Sequence, residues 1–399
     1  MKIRVSTDFG NSTTKQSVNG ERIVSPSVIK RVFEIPSVTE TDIEKLVANL
    51  YEELTVSITS ASLERSGIFS VGHRATLDAI KSENMNITLG NKAEHDIPVI
   101  MNLSLTAASL VKAHFKRYKK LPKKIEAEGT LVGSIPASEY TSTIAENFEK
   151  RFAGEIEKEV VHVVLVHVGS HTVTVTIQYT EAKITEEGVP ALYAFLEAEE
   201  DILENFRLLY QEDPKLASMT QRDFIALNGL GVDIGSGTTE YIHTHGINPV
   251  LDSCTGEKRG VGHAAETASK TLGKKLGGHL NINRQKFDKI LLNETDNLHS
   301  LATQFMEEAQ YGEANNILED VQVRYSVTGG DFNFIMVFGG GSITFKKDLY
   351  NRIVKFANMV QCIVIWIPEK YAVNMNIDGL DILHDKVFFP RGAVGAGEA

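Results

Sequence analysis

The 399-residue sequence predicts an α/β protein made of two related halves, each with a buried sheet. A strand-and-turn motif near the N-terminus recurs without a gap 225 residues later. Apolar runs typical of buried strands also alternate with segments of helical spacing, which is the pattern of layered α/β folds. The length exceeds one ordinary domain of about 150 residues, so the two halves are expected to form two domains.

Composition excludes several classes of protein. The chain has 41 basic and 52 acidic residues, and a net charge of −11 opposes direct binding of nucleic acid or an anionic membrane. No stretch reaches about 18 consecutive apolar residues, and the sequence opens as a charged strand. We therefore expect neither a membrane span nor a secretion signal, and a cytoplasmic location. The two cysteines and the histidine spacing fit neither a disulfide framework nor a structural zinc site.

The first three strands are predicted to form an antiparallel meander. Residues 2–8 alternate apolar and polar positions and then reach a glycine turn. Residues 13–18 and 21–26 flank Asn19-Gly20, a dipeptide that favours a two-residue hairpin. Residues 34–100 have a mixed pattern, with a helical stretch near 41–54 and a short strand at 67–72, and are interpreted as a peripheral insertion.

The middle of the chain continues the α/β pattern. A helical stretch over residues 99–118 ends in a basic run, which we interpret as a solvated helix end, with a specific anion or partner site as the alternative. His162, His167 and His171 fall among the following strands and are expected to be ordinary strand residues. The remaining predicted elements are strands at 125–135, 160–167, 172–179 and 182–185, a helix from 191, a strand and turn at 229–239, helices within 262–320, a strand at 334–338 and a final helix at 372–383.

The repeated motif carries the predicted chemistry. Residues 8–15 and 233–240 share Asp, Gly, Thr and Thr at four of eight positions. Glycine allows backbone N–H groups to approach phosphate oxygens, and hydroxyl side chains add donors. A carboxylate just before such a loop would repel phosphate, so its natural partner is a hydrated Mg²⁺ ion. Lys15 can reach back to a phosphate, whereas Glu240 at the matching position cannot.

A third glycine-rich segment follows the apolar strand at 334–338. Its bare backbone would approach the sugar or α-phosphate of a nucleotide. Neither a Walker P-loop nor a complete Rossmann fingerprint occurs in the sequence. The predicted nucleotide-binding residues are Gly10, Asn11, Ser12, Thr13 and Lys15 in the first loop, Gly235, Ser236, Gly237 and Thr238 in the second, and Gly339, Gly340 and Gly341 in the third.

In order and spacing, these segments resemble the superfamily of actins, heat-shock chaperones and sugar kinases. Residues 8–15 resemble its first phosphate loop, 233–239 its second, 339–342 its adenosine loop and 374–379 its second connecting segment. Residues 187–191, Glu-Gly-Val-Pro-Ala, are similar to the first connection of the ParM-like family of plasmid-segregating bacterial actins. The resemblance spans nearly the whole chain. It implies an actin-like, ribonuclease H-like duplicated ATPase fold with a nucleotide cleft between two domains.

The resemblance also implies a domain division. Domain I would cover residues 1–226, with a peripheral subdomain at about 34–98, and domain II would cover residues 227–371. Residues 372–399 would form a C-terminal helix that returns to domain I, followed by a tail.

Three acidic residues receive catalytic roles by the same resemblance. Glu187 would position the attacking water, Asp233 would assist it, and Asp8 would organise the metal, with Lys15 on the β-phosphate. Asp8 and Asp233 would hold Mg²⁺ through water. Positioning and charge neutralisation are what phosphoryl transfer to water requires. Glu186 is the alternative to Glu187, because a shift of the preceding strand by one residue would exchange them.

The function implied is that of an actin-like ATPase that forms dynamic filaments on binding ATP and Mg²⁺ and then hydrolyses the nucleotide. The filament would be a homopolymer that moves plasmid DNA through a DNA-bound adaptor of ParR type, contacting neither nucleic acid nor membrane itself. ATP is expected and GTP is the alternative, since residues 260–270 carry no sharp base-pocket signature. A small-molecule kinase of the same superfamily is the alternative function, because Asp-x-Gly-Asn-Ser also occurs in acyl and pantothenate kinases.

Overall fold

The computed structural model describes residues 1–77, 82–84, 91–155, 158–278, 282 and 284–390. These residues form two compact units, each with its own sheet and apolar core. Of the described residues, those within 1–135 and 139–190 and residues 377–390 belong to unit 1, and residues 136–138 and those within 191–376 belong to unit 2. The predicted α/β class is confirmed.

Unit 1 is organised around a long mixed sheet. The strands of this sheet are β1 (Lys2–Phe9), β2 (Thr13–Val18), β3 (Glu21–Pro26), β4 (Val28–Val32), β5 (Thr55–Thr59), β6 (Gly67–Val71), β7 (Glu83–Asn84), β8 (Lys124–Ile135), β11 (His162–Val168) and β12 (His171–Glu186). The short strands β9 (Gly154–Glu155) and β10 (Lys158–Glu159) pair with each other. The first helices of unit 1 are α1 (Ile43–Ala48), α2 (His73–Thr76), α3 (Asp96–Tyr118) and α4 (Ser142–Ala153). A short 3₁₀ turn over Ala137–Glu139 begins in the segment 136–138 that belongs to unit 2.

The sheet of unit 1 has the strand order β3-β2-β1-β8-β12-β11-β5-β6-β4-β7. The predicted three-strand meander is confirmed, and its tight turn forms because Asn19 and Gly20 both adopt left-handed φ angles of 53° and 87°. Strands β1, β8 and β12 run parallel, so their carboxyl ends meet at one edge. Residues 55–71, expected in a peripheral insertion, instead extend the same sheet as β5 and β6.

Two elements of unit 1 differ in detail from the sequence prediction. Residues 172–179 and 182–185 belong to one strand, β12, which continues past a bulge at Thr180 because both parts pair with β8. Helix α3 is long and apolar enough to cross a membrane by length and composition alone, but 83% of its apolar window is buried inside the protein. The basic run begins with Lys116 and Arg117 in the last turn of α3 and continues past Lys119, which ends the helix with φ of 53°.

Unit 2 has a smaller sheet covered by long helices. Its elements are α5 (Val189–Glu197), which begins at the end of unit 1, α6 (Glu204–Leu209), α7 (Pro214–Ala217), β13 (Asn228–Ile234), β14 (Thr239–His245), β15 (Asn248–Pro249), β16 (Thr255–Glu257), α8 (Val261–Lys275), α9 (Arg284–Leu292), α10 (His299–Val327), β17 (Phe334–Phe338), α11 (Gly340–Met359), β18 (Ile363–Trp366) and α12 (Glu369–Ala372). Short 3₁₀ turns span Glu200–Leu203, Gln221–Ala226 and Leu251–Ser253.

The sheet of unit 2 has the order β15-β14-β13-β17-β18, with β16 paired to β14. Strand β13 thus has an antiparallel hairpin partner on one side and a parallel strand on the other. Strand β1 of unit 1 has the same two kinds of neighbour in β2 and β8. Each unit therefore places the start of its hairpin beside the carboxyl end of a parallel strand.

The division between the units differs from the predicted boundary at 226/227. Residues 191–226 pack with unit 2, where the rings of Phe195 and Phe206 contact Phe224 and that of Phe224 contacts Phe334 on β17. These aromatic contacts bind the segment to the second sheet. The chain rejoins unit 1 within α13 (Met375–Ile382), which is followed by a π-helical turn over Leu383–Phe388.

Candidate functional site

The first predicted loop lies between β1 and β2. Asp8 pairs directly with Lys15 across this hairpin. The ring of Phe9 is buried, and its centre lies 5.3 Å from that of Phe148 and 5.9 Å from that of Phe152. Because side chains alternate along a strand, this anchor directs Asp8 to the other face of the sheet.

Asp8 and Lys15 form an ion pair at the edge of the sheet. The Lys15 Nζ lies 3.3 Å from Oδ2 of Asp8, and the two side chains are 18% and 7% exposed. An acceptor for a hydrated cation and a donor for phosphate therefore stand side by side. Charges held in a partly dry site interact more strongly with a ligand than charges in open water.

The shape of the first loop depends on Gly10. A Cβ atom at this position would lie 2.3 Å from the main-chain oxygen of Thr13. Ser27, between β3 and β4, holds the loop: it donates its hydroxyl to the Gly10 carbonyl at 2.5 Å and its N–H to the Ser12 carbonyl at 2.9 Å. The loop is therefore held in one conformation by contacts that exclude a side chain at Gly10.

The second predicted loop repeats this geometry between β13 and β14. Asp233 pairs with Glu240, as Asp8 pairs with Lys15. The N–H of Gly235 donates to the Thr238 carbonyl at 2.9 Å, and a Cβ at Gly235 would lie 2.8 Å from that oxygen. The duplication predicted from the sequence is thus present as matching hairpin register and matching glycine constraint.

The position that holds Lys15 in the first loop has a different use in the second. Glu240 is 1% exposed, and its Oε2 accepts a hydrogen bond from the N–H of Ala137 at 3.1 Å. Residues 136–138 are the short segment that leaves the long strand β8 and belongs to unit 2. A buried carboxylate therefore ties this segment to β14.

Helix α8 supports the second loop. The N–H of Gly262 donates to the Ser236 carbonyl at 2.8 Å, and His263 Nε2 lies 2.8 Å from the Gly237 carbonyl. Gly260 has φ of 145°, and a Cβ there would lie 2.5 Å from the Gly235 oxygen. Residues 261–270, where a base pocket is expected, are thus the N-terminal part of helix α8, which fixes the loop.

Asp233 is held by a residue that the sequence did not single out. The Asn376 Nδ2 donates to Asp233 Oδ2 at 2.7 Å. A Cβ at Gly339, which has φ of 85°, would lie 2.3 Å from Asp233 Oδ1. Asn376 lies 143 residues from Asp233, so its only sequence signal was its place within the second connecting segment.

The triple glycine is a strand-to-helix junction rather than a free loop. Gly339 precedes α11, and Gly340 and Gly341 are the first two residues of that helix. Gly340 is exposed and has open space where a Cβ would stand, whereas a Cβ at Gly341 would lie 2.5 Å from Ile234 Cγ2. The first turn of a 20-residue helix offers N–H groups suited to an anion.

Glu187 follows directly after strand β12. Its N–H donates to the Ile135 carbonyl at 2.7 Å, and Gly188 then turns the chain into α5 with φ of 84°. The Lys92 Nζ lies 2.5 Å from Glu187 Oε1, and the Lys92 side chain is 1% exposed. This buried ion pair fixes the carboxylate. Lys92 was missed because a single lysine in a polar stretch has no sequence signal.

Glu186 has a contrasting environment. It is 5% exposed, and its Oε2 has no hydrogen-bond partner among the described residues. Burial raises the pKa of Glu186 from its ordinary value to about 7. The two adjacent carboxylates therefore differ in their partners, because Glu187 is paired with Lys92 whereas Oε2 of Glu186 has no partner among the described residues.

Within unit 1, the structure brings the predicted residues to one edge of the sheet. Asp8 is level with Ser134 on β8, and Ser134 is level with Thr185 on β12. Glu187 follows Thr185 by two residues. Asp8 and Glu187 are therefore at the ends of strands that have one strand between them, about 10 Å apart across the sheet. Within unit 2, Asp233 is level with Phe338, directly before Gly339.

The comparisons with known proteins agree with this arrangement. The family model described as "Archaeal actin homologue MreB-like, C-terminal" matches residues 231–351. No curated protein matches the chain. Three similar solved structures cover nearly the whole chain. The actin-like protein Alp7A is 18% identical with a TM-score of 0.66 and covers 96% of both chains.

The other two structures are a ParM and an archaeal protein. ParM of Bacillus thuringiensis, solved with ATP, is 17% identical with a TM-score of 0.60 and covers 96% of this chain and 98% of its own. Ta0583, an archaeal actin homologue, is 15% identical with a TM-score of 0.60 and covers 95% and 98%. The chain therefore has the actin-like fold of ParM-type proteins.

Proposed function

We propose that this protein is an ATPase that binds ATP with Mg²⁺, assembles into dynamic filaments and hydrolyses the bound nucleotide. The observation that carries the proposal is the matched pair of loops, in which Asp8 and Asp233 occupy the same register position at a strand end. A similar solved structure, ParM of Bacillus thuringiensis, contains ATP. The same comparison supports the fold on which filament assembly would depend.

Each of the two loops, taken by itself, offers groups of the kind that a magnesium-bound nucleotide requires. Asp8 and Asp233 supply carboxylates that can accept hydrogen bonds from metal-bound water. Mg²⁺, when bound, would neutralise charge on the β- and γ-phosphates. The loop backbones and Lys15 would bind phosphate oxygens, and the first turn of α11 would approach the sugar or α-phosphate. The proposed binding residues are those named above for the three glycine-rich segments.

Glu187 is the proposed residue that positions the attacking water. Lys92 holds its carboxylate in place, which reduces the number of orientations it can adopt. Asp233, fixed by Asn376, would assist. Glu186 is the alternative, since a carboxylate with a pKa near 7 is suited to accept a proton at neutral pH.

Filament assembly would serve plasmid segregation in the cytoplasm. The net charge of −11 opposes direct contact with DNA, which agrees with a DNA-bound adaptor of ParR type as the partner. The filament would consist of copies of this chain alone.

The test combines sedimentation, light scattering and electron microscopy of the purified protein with ATP and Mg²⁺. Filaments that form with ATP and disassemble as phosphate is released would support the proposal. A protein that stays soluble and phosphorylates a small-molecule acceptor would instead be a kinase of the superfamily. Asp8→Ala should lose the magnesium dependence of nucleotide binding. Equal affinity with and without Mg²⁺ in the unsubstituted protein would contradict the metal assignment.

Two matched substitutions distinguish the roles of the two carboxylates at the end of β12. Glu187→Gln should retain ATP binding, slow phosphate release by about 100-fold and prolong the life of filaments. Glu186→Gln should hydrolyse ATP at nearly the normal rate. If the effects are reversed, Glu186 is the residue that acts on water.

A further inference from the structure

A cluster of two histidines and one aspartate lies at the edge of the unit 2 sheet that is remote from Asp233. His243 and His245 are on β14, and Asp331 lies in the turn between α10 and β17. His245 pairs with Asn228 at the start of β13, whereas Asp233 lies five residues further along that strand. The cluster is therefore about 16 Å from the second phosphate loop along the strand.

The three side chains converge because of strand alternation and the turn. Residues two apart on a strand point to the same face, so both histidines of β14 face Asp331. Gly329 and Gly330 have left-handed φ angles of 67° and 78°, which bring the chain back toward the sheet after α10. Asn228 Nδ2 donates to Asp331 Oδ1 at 2.8 Å and fixes that carboxylate.

The distances suit a small divalent ion. His245 Nε2 lies 2.9 Å from Asp331 Oδ2, and His243 Nε2 lies 3.9 Å from the same oxygen. One ligand atom from each of the three residues lies within 4.8 Å of the others. Tetrahedral zinc with bonds of about 2.0–2.1 Å needs ligand atoms roughly 3.3 Å apart. The two measured separations fall on either side of that value.

His243 carries a further indication of a ligand. It is 3% exposed, and its Nδ1 has no hydrogen-bond partner among the residues that the structure describes. Its Nε2 is 2.8 Å from the main-chain oxygen of Asp331. Because a carbonyl oxygen only accepts, Nε2–H donates in this contact and Nδ1 carries the unpartnered lone pair. Binding an ion through Nε2 would require the ring proton to shift to Nδ1.

We propose that His243, His245 and Asp331 bind a divalent transition-metal ion, with zinc as the physiological class and a water molecule in the fourth position. Two imidazoles and a carboxylate are ligands that zinc accepts, and borderline metals prefer nitrogen donors over an all-oxygen site. The ion would link β14 to the turn before β17 across the intervening strand β13. It would stabilise unit 2 without taking part in nucleotide chemistry.

The test uses untagged, chelator-treated full-length protein titrated with Co²⁺, followed by competition with Zn²⁺. We expect one equivalent of Co²⁺ with visible absorption bands of a low-coordinate site, displaced by Zn²⁺. His245→Ala should weaken binding at least tenfold. Its side chain is 55% exposed, so the fold should survive, and circular dichroism checks this. His171→Ala, which removes an exposed histidine from unit 1, is the matched control and should bind normally.

A second variant addresses the carboxylate. Asp331→Asn should also weaken binding at least tenfold, and Zn²⁺ should raise the Tm of the unsubstituted protein but not that of either variant. Absence of Co²⁺ bands, or equal affinity in the unsubstituted protein and both variants, would overturn the proposal. In that case the cluster is a hydrogen-bonded clamp on the turn after α10.

Discussion

The buried carboxylate of Glu186 should make the stability of unit 1 depend on pH. Its pKa is raised by burial to about 7, from an ordinary value of 4.5. Below pH 4.5 the folded and unfolded chains both carry the proton, and above pH 7 neither does. Between these values only the folded chain keeps it. Stability from this group is therefore present at low pH and is lost as the pH rises through 7, by about 3 kcal/mol in total.

Glu186→Gln isolates this contribution because glutamine has a similar shape and does not ionise. We expect the free energy of unfolding of the variant, relative to the unsubstituted protein, to rise by about 3 kcal/mol between pH 4.5 and pH 8. The measurement is urea unfolding followed by circular dichroism at several pH values. Only the change with pH is interpreted, since the amide alters hydrogen bonding by a constant amount.

The control is Glu181→Gln, which removes an exposed carboxylate from the same strand. Its difference from the unsubstituted protein should stay nearly flat over the same range. A flat difference for Glu186→Gln as well would refute the reasoning that burial keeps this carboxyl protonated.

Three further substitutions test the site. Lys92→Met should lower the free energy of unfolding by about 3–5 kcal/mol, because it leaves Glu187 buried without its cation. Adding Glu187→Gln should recover part of that loss. Additive effects of the two substitutions on the free energy of unfolding would contradict the pairing. Gly10→Ala should weaken nucleotide binding more than tenfold in a fluorescence titration, whereas Gly312→Ala, which faces open space in a helix, should bind normally and gain about 0.5–1 kcal/mol. Asn376→Ala should lower kcat about tenfold with little change in Tm; an unchanged kcat would remove its positioning role.

The sequence predicted those features that local chemistry decides. Asn19 and Gly20 favour left-handed backbone, so the first hairpin and its register could be placed. The gapless repeat of Asp, Gly, Thr and Thr located both loops, because each loop needs a glycine under a threonine carbonyl. The Glu187 connection was found only through resemblance to a known family.

Features that depend on distant partners could not be predicted. Lys92 meets Glu187 from 95 residues away, and Asn376 meets Asp233 from 143 residues away. Strand β5 was missed because its five residues acquire their role only by pairing with β11 and β6. The unit boundary was misplaced for the same reason, since aromatic packing against β17 decides where residues 191–226 belong.

The burial of Glu240 shows how a duplicated architecture can specialise. The duplication gives each hairpin an equivalent position opposite its aspartate, and Lys15 occupies this position in the first hairpin. Glu240 occupies the position in the second hairpin, where its carboxylate accepts a hydrogen bond from the N–H of Ala137. Converting Glu240 to lysine would therefore not restore symmetry between the halves, because the new ammonium group would be desolvated beside an amide hydrogen that it cannot accept. The position that matches Lys15 therefore has a structural role in unit 2, and this difference between the two halves contributes to the stability of the fold.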